Sequence, residues 1–258
     1  MEVHRHPEPH HKKKSLKEYF FDFLMIFLAV TLSFIAENIR EHLNNKTKER
    51  GNIANMLEDL RSDTSILHSR ILMWENFQKG IDTSEKIIQM PHPENELNML
   101  YRNAIWIGVF LRSGYTNRTF EEMKNSGSFR LLENKNVTDS LIAYDNFVKN
   151  FIASDEEPHY DYFMNHVMPS FEQVIDLTLF RARWTELANS NGFESGMENS
   201  DAKVANNLRL ITTDKVVLEK FAGQLTYYYA DGVALIQIMR ERLLMATHLI
   251  QQIRKEYY

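Results

Sequence analysis

From Phe23 to Ala36 the chain runs without a single charged side chain, and the same stretch extended back to Tyr19 holds only Asp22. No other feature of the sequence restricts the fold as much. Crossing about 30 Å of hydrocarbon takes roughly 20 helical residues at 1.5 Å each, so length alone is borderline. Distribution decides. Phe20, Phe21, Phe23, Leu24, Met25, Ile26, Phe27, Leu28, Val30, Leu32, Phe34 and Ile35 point in every direction around a helix. A soluble core helix keeps a polar stripe, whereas a helix apolar all round is wholly buried or lies in lipid. At about −0.3 to −0.6 kcal/mol for each strong apolar residue, the run favours insertion by about 4 to 7 kcal/mol. Asp22 sits near one end, where a carboxylate reaches water at much less than its midplane cost. Residues 19–36 are therefore predicted to span a membrane.

A cleaved signal peptide would need small residues before the cut. Cleavage after Ala36 would leave Phe34 three positions back, so an uncleaved signal anchor is the expectation. Arg5, Lys12, Lys13, Lys14 and Lys17 precede the span, and Arg40, Lys46, Lys48 and Arg50 follow it. The compact lysine block puts residues 1–18 in the cytoplasm and 37–258 outside. The expected address is the inner (plasma) membrane, crossed once. Lys12, Lys13, Lys14 and Lys17 are read as a membrane-surface anchor, each worth about 1 kcal/mol near anionic lipid. His4, His6, His10 and His11 crowd the same tail and could bind Zn²⁺ or Ni²⁺, but surface anchoring by lysine is the preferred reading.

Composition narrows the remainder. Formal charge is −5 overall; the segment 1–18 carries five basic and three acidic side chains, a net +2, so the rest carries −7. An acidic body is a poor partner for nucleic acid, whose recognition begins with phosphate neutralisation. Cysteine is absent, which removes disulfides, thiolate metal sites and a cysteine nucleophile. Nine glycines and six prolines in 258 residues point to helix over sheet.

Beyond Ala36 a seam recurs in steps of four and three: Ile39, Leu43, Lys46, Arg50, Ile53, Leu57, Leu60, Thr64, Leu67, Ile71 and Trp74. It predicts one helix from the span to about Gln78. The stripe packs on its own domain or, as the alternative, on a second copy in a coiled coil. "MPHPEN" (residues 90–95) breaks the pattern with two prolines. A buried helix is expected over Glu96–Arg112, around "AIWIGVF". Thr119 with Glu122 forms a capping-box pattern, and Gly127 a stop. Leu141, Tyr144, Asp145 and Val148 open another helix. A further one is expected from Pro158 to Phe180, kinked or split at Pro169. Residues 188–202 read as a polar surface excursion. Thr212 or Thr213 should cap a last helix running to the C-terminus, striped by Val217, Phe221, Leu225, Tyr228, Gly232, Leu235 and Met239. The fold class is all-α: a transmembrane helix continuing into a long helix, then a helical bundle closed by a long C-terminal helix. The two long helices are expected to pair antiparallel, with Leu57 and Met239 roughly level and Tyr257 and Tyr258 returned to the membrane interface.

The order of a lysine-rich tail, a span ending "AENIREH", then "NMLEDLRSDTSIL" and "TFEEMKNSGSFRLLENKNVTDSLIAYDNF" resembles a family of single-span bacterial membrane proteins, classed as a domain of unknown function. The similarity covers residues 12–80 and 115–150, with Glu121–Gly127 its most specific part. It implies a membrane address and a helical fold, and it brings no activity, cofactor or catalytic residue.

The chain lacks a phosphate-binding glycine loop, a dinucleotide turn, a His-Glu-x-x-His pair and a Gly-x-Ser-x-Gly elbow. Glu156 and His159, with His166 two turns on, match the Glu-x-x-His element of helical di-iron sites. Such a site needs that element twice, and Pro158 suggests a solvated helix start instead. No catalytic, cofactor-binding or metal residue is therefore assigned. Two function classes remain. The first is a membrane-anchored interaction or scaffold module of the cell envelope, whose partners are the bilayer and another envelope protein or itself. The second is a ligand-sensing domain, with Trp74, Trp106, Trp184, Arg102, Arg112 and Arg118 around an acidic ligand.

Overall fold

The computed structural model describes residues 15–108, 112–181, 185 and 207–258. The described residues are almost wholly helical, and the only β pairing among them is an isolated bridge between Ile175 and Leu210. The chain divides into two compact units, Met1–Gly51 and Asn52–Tyr258.

Helix α1 covers Leu16–Ile88, 73 residues. It opens in a reciprocal capping box, where Ser15 Oγ accepts from Glu18 N at 3.4 Å and Glu18 Oε2 accepts from Ser15 N at 2.9 Å. In the first unit the residues expected to face lipid are all exposed except Leu24, which is half-buried. The hydroxyls within the run are satisfied internally: Thr31 Oγ1 donates to Phe27 O and Ser33 Oγ to Ala29 O, both at 2.8 Å. This removes the cost of an unbonded hydroxyl in an apolar medium. The segment belongs to a helix long and apolar enough to span a membrane, and no part of its 18-residue apolar window is buried by protein.

The second unit starts with α1 from Asn52 on. The seam predicted from the sequence is buried here from Ile53 to Trp74, apart from half-buried Thr64, and it continues through Phe77 and Ile81. It packs within the chain itself, so over Ile53–Trp74 the coiled-coil alternative gives way to the intramolecular one. The helix runs well past the expected end at Gln78, to Ile88. Nothing in "KGIDTSEKII" breaks it, the Asp82–Lys86 pair (2.7 Å) supports it, and it stops only as Pro91 nears.

A 3₁₀ turn at Pro93–Glu96 leads into α2, Leu97–Ile107, which buries Leu100, Tyr101, Ala104, Ile105 and Ile107. Helix α3 is Arg118–Ser126, and Gly127 ends it with φ 68°, its N–H returning to Met123 O and Lys124 O. The expected capping box at Thr119 does not form. Thr119 is buried, and its N–H donates to Asp59 Oδ2 on α1 at 2.8 Å; a carboxylate from another helix takes the place of a local hydroxyl.

Helix α4, Lys135–Phe151, is capped by Asn134 and continues without a break into α5, Glu157–Tyr162, and α6, Met168–Val174. The joints are π-turns at Ile152–Glu156 and Phe163–Val167. Each widened turn comes just before a proline, Pro158 or Pro169. Proline lacks an N–H and its ring clashes with the carbonyl four residues back, so a looser turn carries the helix past it. The helical run thus passes both prolines without splitting, and it ends at Val174, short of Phe180. A 3₁₀ turn at Leu177–Phe180 follows. The excursion expected at 188–202 lies outside the described residues.

The last helix, α7, is Lys215–Tyr257. Its cap is Asp214, whose Oδ1 accepts from Val216 N at 2.8 Å; Thr212 Oγ1 accepts from Asp214 N at 3.1 Å and is one step outside. The carboxylate outcompetes the hydroxyls predicted for the role. Within the second unit α7 runs antiparallel to α1: Arg242 meets Asp63, Arg240 meets Glu75, and Gly232 lies against Gln78. The pairing direction is as expected; the register is not. Leu57 belongs to a cluster with Leu249 and Ile253, whereas Met239 belongs to a separate one with Trp74 and Phe77. Ile53 and Ile253 share that cluster, and Tyr257 packs against it.

Candidate functional site

The two apolar clusters of the second unit are separated along α1 and α7 by a layer of buried charge. Arg242 is 0 % exposed and Asp63 1 %. The guanidinium Nη2 donates to both Asp63 oxygens at 2.6 and 2.7 Å. Its Nε donates to Tyr144 OH and its Nη1 to Ser113 Oγ, each at 3.3 Å, and its face lies 5.4 Å over the Tyr115 ring. Tyr144 OH donates to Asp63, whose Oδ1 also accepts from Thr116 N at 3.2 Å. Burial opposes the charge on Arg242, but the Tyr144 oxygen and the Asp63 carboxylate outweigh it and hold the guanidinium above its ordinary pKa. Burial raises both phenols; Tyr115 is pushed further by the carboxylate of Asp145, to which it donates at 2.8 Å.

These bonds converge on one segment, Ser113–Thr119. Asp59 and Asp63 of α1 take its amides at Thr119 and Thr116, Glu156 takes the amide of Ser113, and Asp145 takes the Tyr115 hydroxyl. Gly114 turns the segment with φ 74°. Four carboxylates from two helical runs thus hold a segment that has no regular structure until α3 begins at Arg118. In chemical terms the layer is closed. Its donors and acceptors satisfy one another, and Asp63 and Arg242 have no surface from which to reach a substrate.

A solvated helix start is the expectation for Glu156 and His159, and the structure overturns it. Glu156 is 4 % exposed and His159 0 %, because the helix continues through Pro158 and turns this face onto α7. Glu156 faces Ser113, while His159 Nδ1 meets Asp231 Oδ2 at 2.5 Å. The imidazole stacks on Tyr228 at 4.3 Å and meets Trp74 edge-on at 5.1 Å. Burial lowers its pKa and the Asp231 carboxylate opposes that, leaving it below the ordinary histidine value. His166 stacks instead beside Tyr162, at 4.8 Å. Among the described residues no group of three or more His, Asp or Glu side chains could hold a metal ion.

Of the side chains suggested for sensing an acidic ligand, Trp74, Trp106, Arg112 and Arg118 have partners within the chain. Trp74 is a core residue, and Trp106 leans on Phe77 at 5.9 Å. Arg112 pairs with Glu157, and Arg118 reaches Asp59 at 3.5 Å. Trp184 lies outside the described residues, as do Lys12, Lys13, Lys14 and the histidines of the tail; Lys17 is exposed on α1.

Grooves open on the second unit among the described residues. One, of about 860 Å³, lies where the end of α1 and the Pro91–Glu94 turn face Leu218, Ala222 and Thr226 of α7. Another, of about 440 Å³, runs between Glu75–Asp82 of α1 and Tyr229–Arg240 of α7. Neither is lined by the predicted tryptophans or arginines. Comparison of the chain with protein-family models, with curated proteins and with solved structures finds no match.

Proposed function

We propose that the chain is a membrane-anchored helical interaction module of the cell envelope, without catalytic machinery, whose Asn52–Tyr258 unit engages another envelope protein or a second copy. The observation that carries this reading is the 18-residue apolar window of α1, unburied by protein, in a chain whose charged interior is closed upon itself. The first needs lipid; the second leaves recognition to outer faces. Exposed apolar side chains such as Leu72 (62 %) and Leu244 (61 %) are available there. The resemblance centred on Glu121–Gly127 agrees with a single-span membrane protein.

Two measurements test the reading. Alkaline carbonate should leave the full-length chain in the membrane pellet, and release of intact chain would overturn the anchor. A photo-crosslinking amino acid at Leu72 or Leu244 in living cells should give a discrete adduct that the same group at exposed Lys124 does not. Loss of that difference would overturn the module. For orientation, Asn125→Cys should react with a membrane-impermeant thiol reagent once the outer membrane is permeabilised; protection there would place the unit in the cytoplasm.

One observation favours ligand sensing as a second reading. The 860 Å³ groove has the size of a small-molecule site, although its lining differs from the one expected. A ligand that raises the melting temperature, and loses that effect in Ala222→Leu, would establish it.

A further inference from the structure

On the side of α7 away from the α1 groove, aromatic rings and a carboxylate meet at the surface. Tyr162, at the end of α5, lies 4.4 Å from Tyr227 of α7, with the rings tilted by 43°. Tyr227 is 57 % exposed. One turn further along α7, the Asp231 side chain is 39 % exposed. Its Oδ2 is held by buried His159, while its Oδ1 has no hydrogen bond among the described residues. Tyr227 and Asp231 stand four residues apart on α7, so their side chains share one face of that helix. The Tyr162 hydroxyl is held above its ordinary pKa by burial first, then by Tyr227 and Asp231. An exposed ring face with a carboxylate fixed one helical turn away suits a planar cation, which stacks on the ring and donates to the acid.

We propose that Tyr162, Tyr227 and Asp231 form a docking point for an arginine side chain on a basic segment of a partner protein. The proposal deepens the interaction-module reading and rests on it. Three arguments select this occupant. The chain from Tyr19 to Tyr258 carries a net charge of −7, so a basic segment is attracted before contact. Guanidinium is flat and forked, which lets it cover Tyr227 and still donate to Asp231 Oδ1; the ammonium of lysine is a rounder and more strongly hydrated charge. A quaternary ammonium from a choline lipid has no N–H for the carboxylate. The rings at 4.4 Å also touch each other directly and leave no box between them to enclose such a group.

The test uses the full chain in dodecyl maltoside, free of choline, and a fluorescein-labelled acetyl-Arg-Arg-Arg-amide peptide read by anisotropy. Tyr227→Ser and Asp231→Asn should each weaken binding by about fivefold, and the matching tri-lysine peptide should bind less tightly than tri-arginine. Free arginine amide should displace the peptide, and phosphocholine should not. Tyr227 is largely exposed, so Tyr227→Ser should melt like the parent; it decides the matter if Asp231→Asn disturbs His159. Unchanged binding in both variants would mean diffuse attraction to the acidic body and would overturn the docking point. So would equal displacement by phosphocholine, or no binding at all. None of these outcomes touches the interaction-module reading, which stands or falls on the carbonate and crosslinking measurements.

Discussion

Arg242 lies fully buried between the two apolar clusters of the second unit. A guanidinium without surface exposure is tolerable only because Asp63, Tyr144 and Ser113 replace its water. Removing one member of such a pair leaves the other charge buried and alone, at about 3 to 5 kcal/mol. Arg242→Met should therefore lower stability by about that amount in denaturant unfolding. Asp63→Leu combined with Arg242→Met should restore part of the loss, since no lone charge remains. The recovery stays partial because Thr116 N and Tyr144 OH still need an acceptor. A double variant no better than Arg242→Met would show that the pair contributes through its loop contacts alone. His159 makes a second, pH-linked contribution. Its folded pKa lies below the ordinary value of 6.5, so the unfolded chain takes up the proton first. The sign follows: this stability is fully present above pH 6.5 and falls as pH drops below it. Melting temperatures from pH 7.5 to 5 should decline in the parent and decline less in His159→Phe, which keeps the ring against Tyr228. Identical slopes would remove His159 as the cause.

Elements were legible wherever a period or a backbone special made them so, and illegible wherever a distant group decided. The stripe from Ile53 to Trp74, the breaker at Pro91 and the left-handed stop at Gly127 all act locally, and all were readable. The capping box of Ser15 and Glu18, a plain Ser-x-x-Glu pattern, is as local as these and equally legible. The cap of α3 belongs to Asp59, nearly sixty residues earlier, and no local pattern announces it. The buried layer did leave a trace. Asp59 and Asp63 stand four apart amid the apolar stripe of α1, and Arg242 interrupts that of α7 between Met239 and Ala246. Acids and a base on two core faces call for each other. Gly232 left a fainter one. It read as a stripe position, yet it is where the buried Gln78 amide presses onto α7, and an added Cβ would collide with Nε2. Gln78 itself has no hydrogen-bond partner for either amide atom among the described residues. That amide is the end of a flexible side chain lining the groove beside α7, so Gly232→Ala should displace it and melt within a few degrees of the parent, helped by the helix propensity alanine adds. A large loss of stability in Gly232→Ala, recovered by adding Gln78→Ala, would mean that packing holds Gln78 in place.

At the scale of the whole second unit, α7 packs on α4, α5 and α6 and faces α1 antiparallel across the Asp63–Arg242 layer. Two long apolar stripes are costly to leave in water, at about 25 cal/mol per Å², and antiparallel pairing follows from that without fixing which residues face each other. Register comes from the polar layer. Sliding α7 by one turn would move Arg242 about 5 Å along the axis, away from Asp63 and into apolar surroundings. The same argument explains why matched helix lengths were a poor guide: aligning the ends placed Leu57 level with Met239, whereas Asp63 facing Arg242 puts Leu57 near His248. The absence of cysteine in the chain makes the register directly testable. Lys79 and Val233 are both exposed and line the same groove, each one residue on from the Gln78–Gly232 contact. Lys79→Cys with Val233→Cys should be joined by a short bis-maleimide within a single chain, giving a faster-migrating monomer on a denaturing gel. Leu57→Cys with Met239→Cys should give no such product, since about nine residues, roughly 14 Å of helix, separate the two levels. Joining of the second pair in preference to the first would return the register to that of matched ends. Joining of the first pair only between chains would mean that α1 and α7 meet in a dimer and not in one molecule.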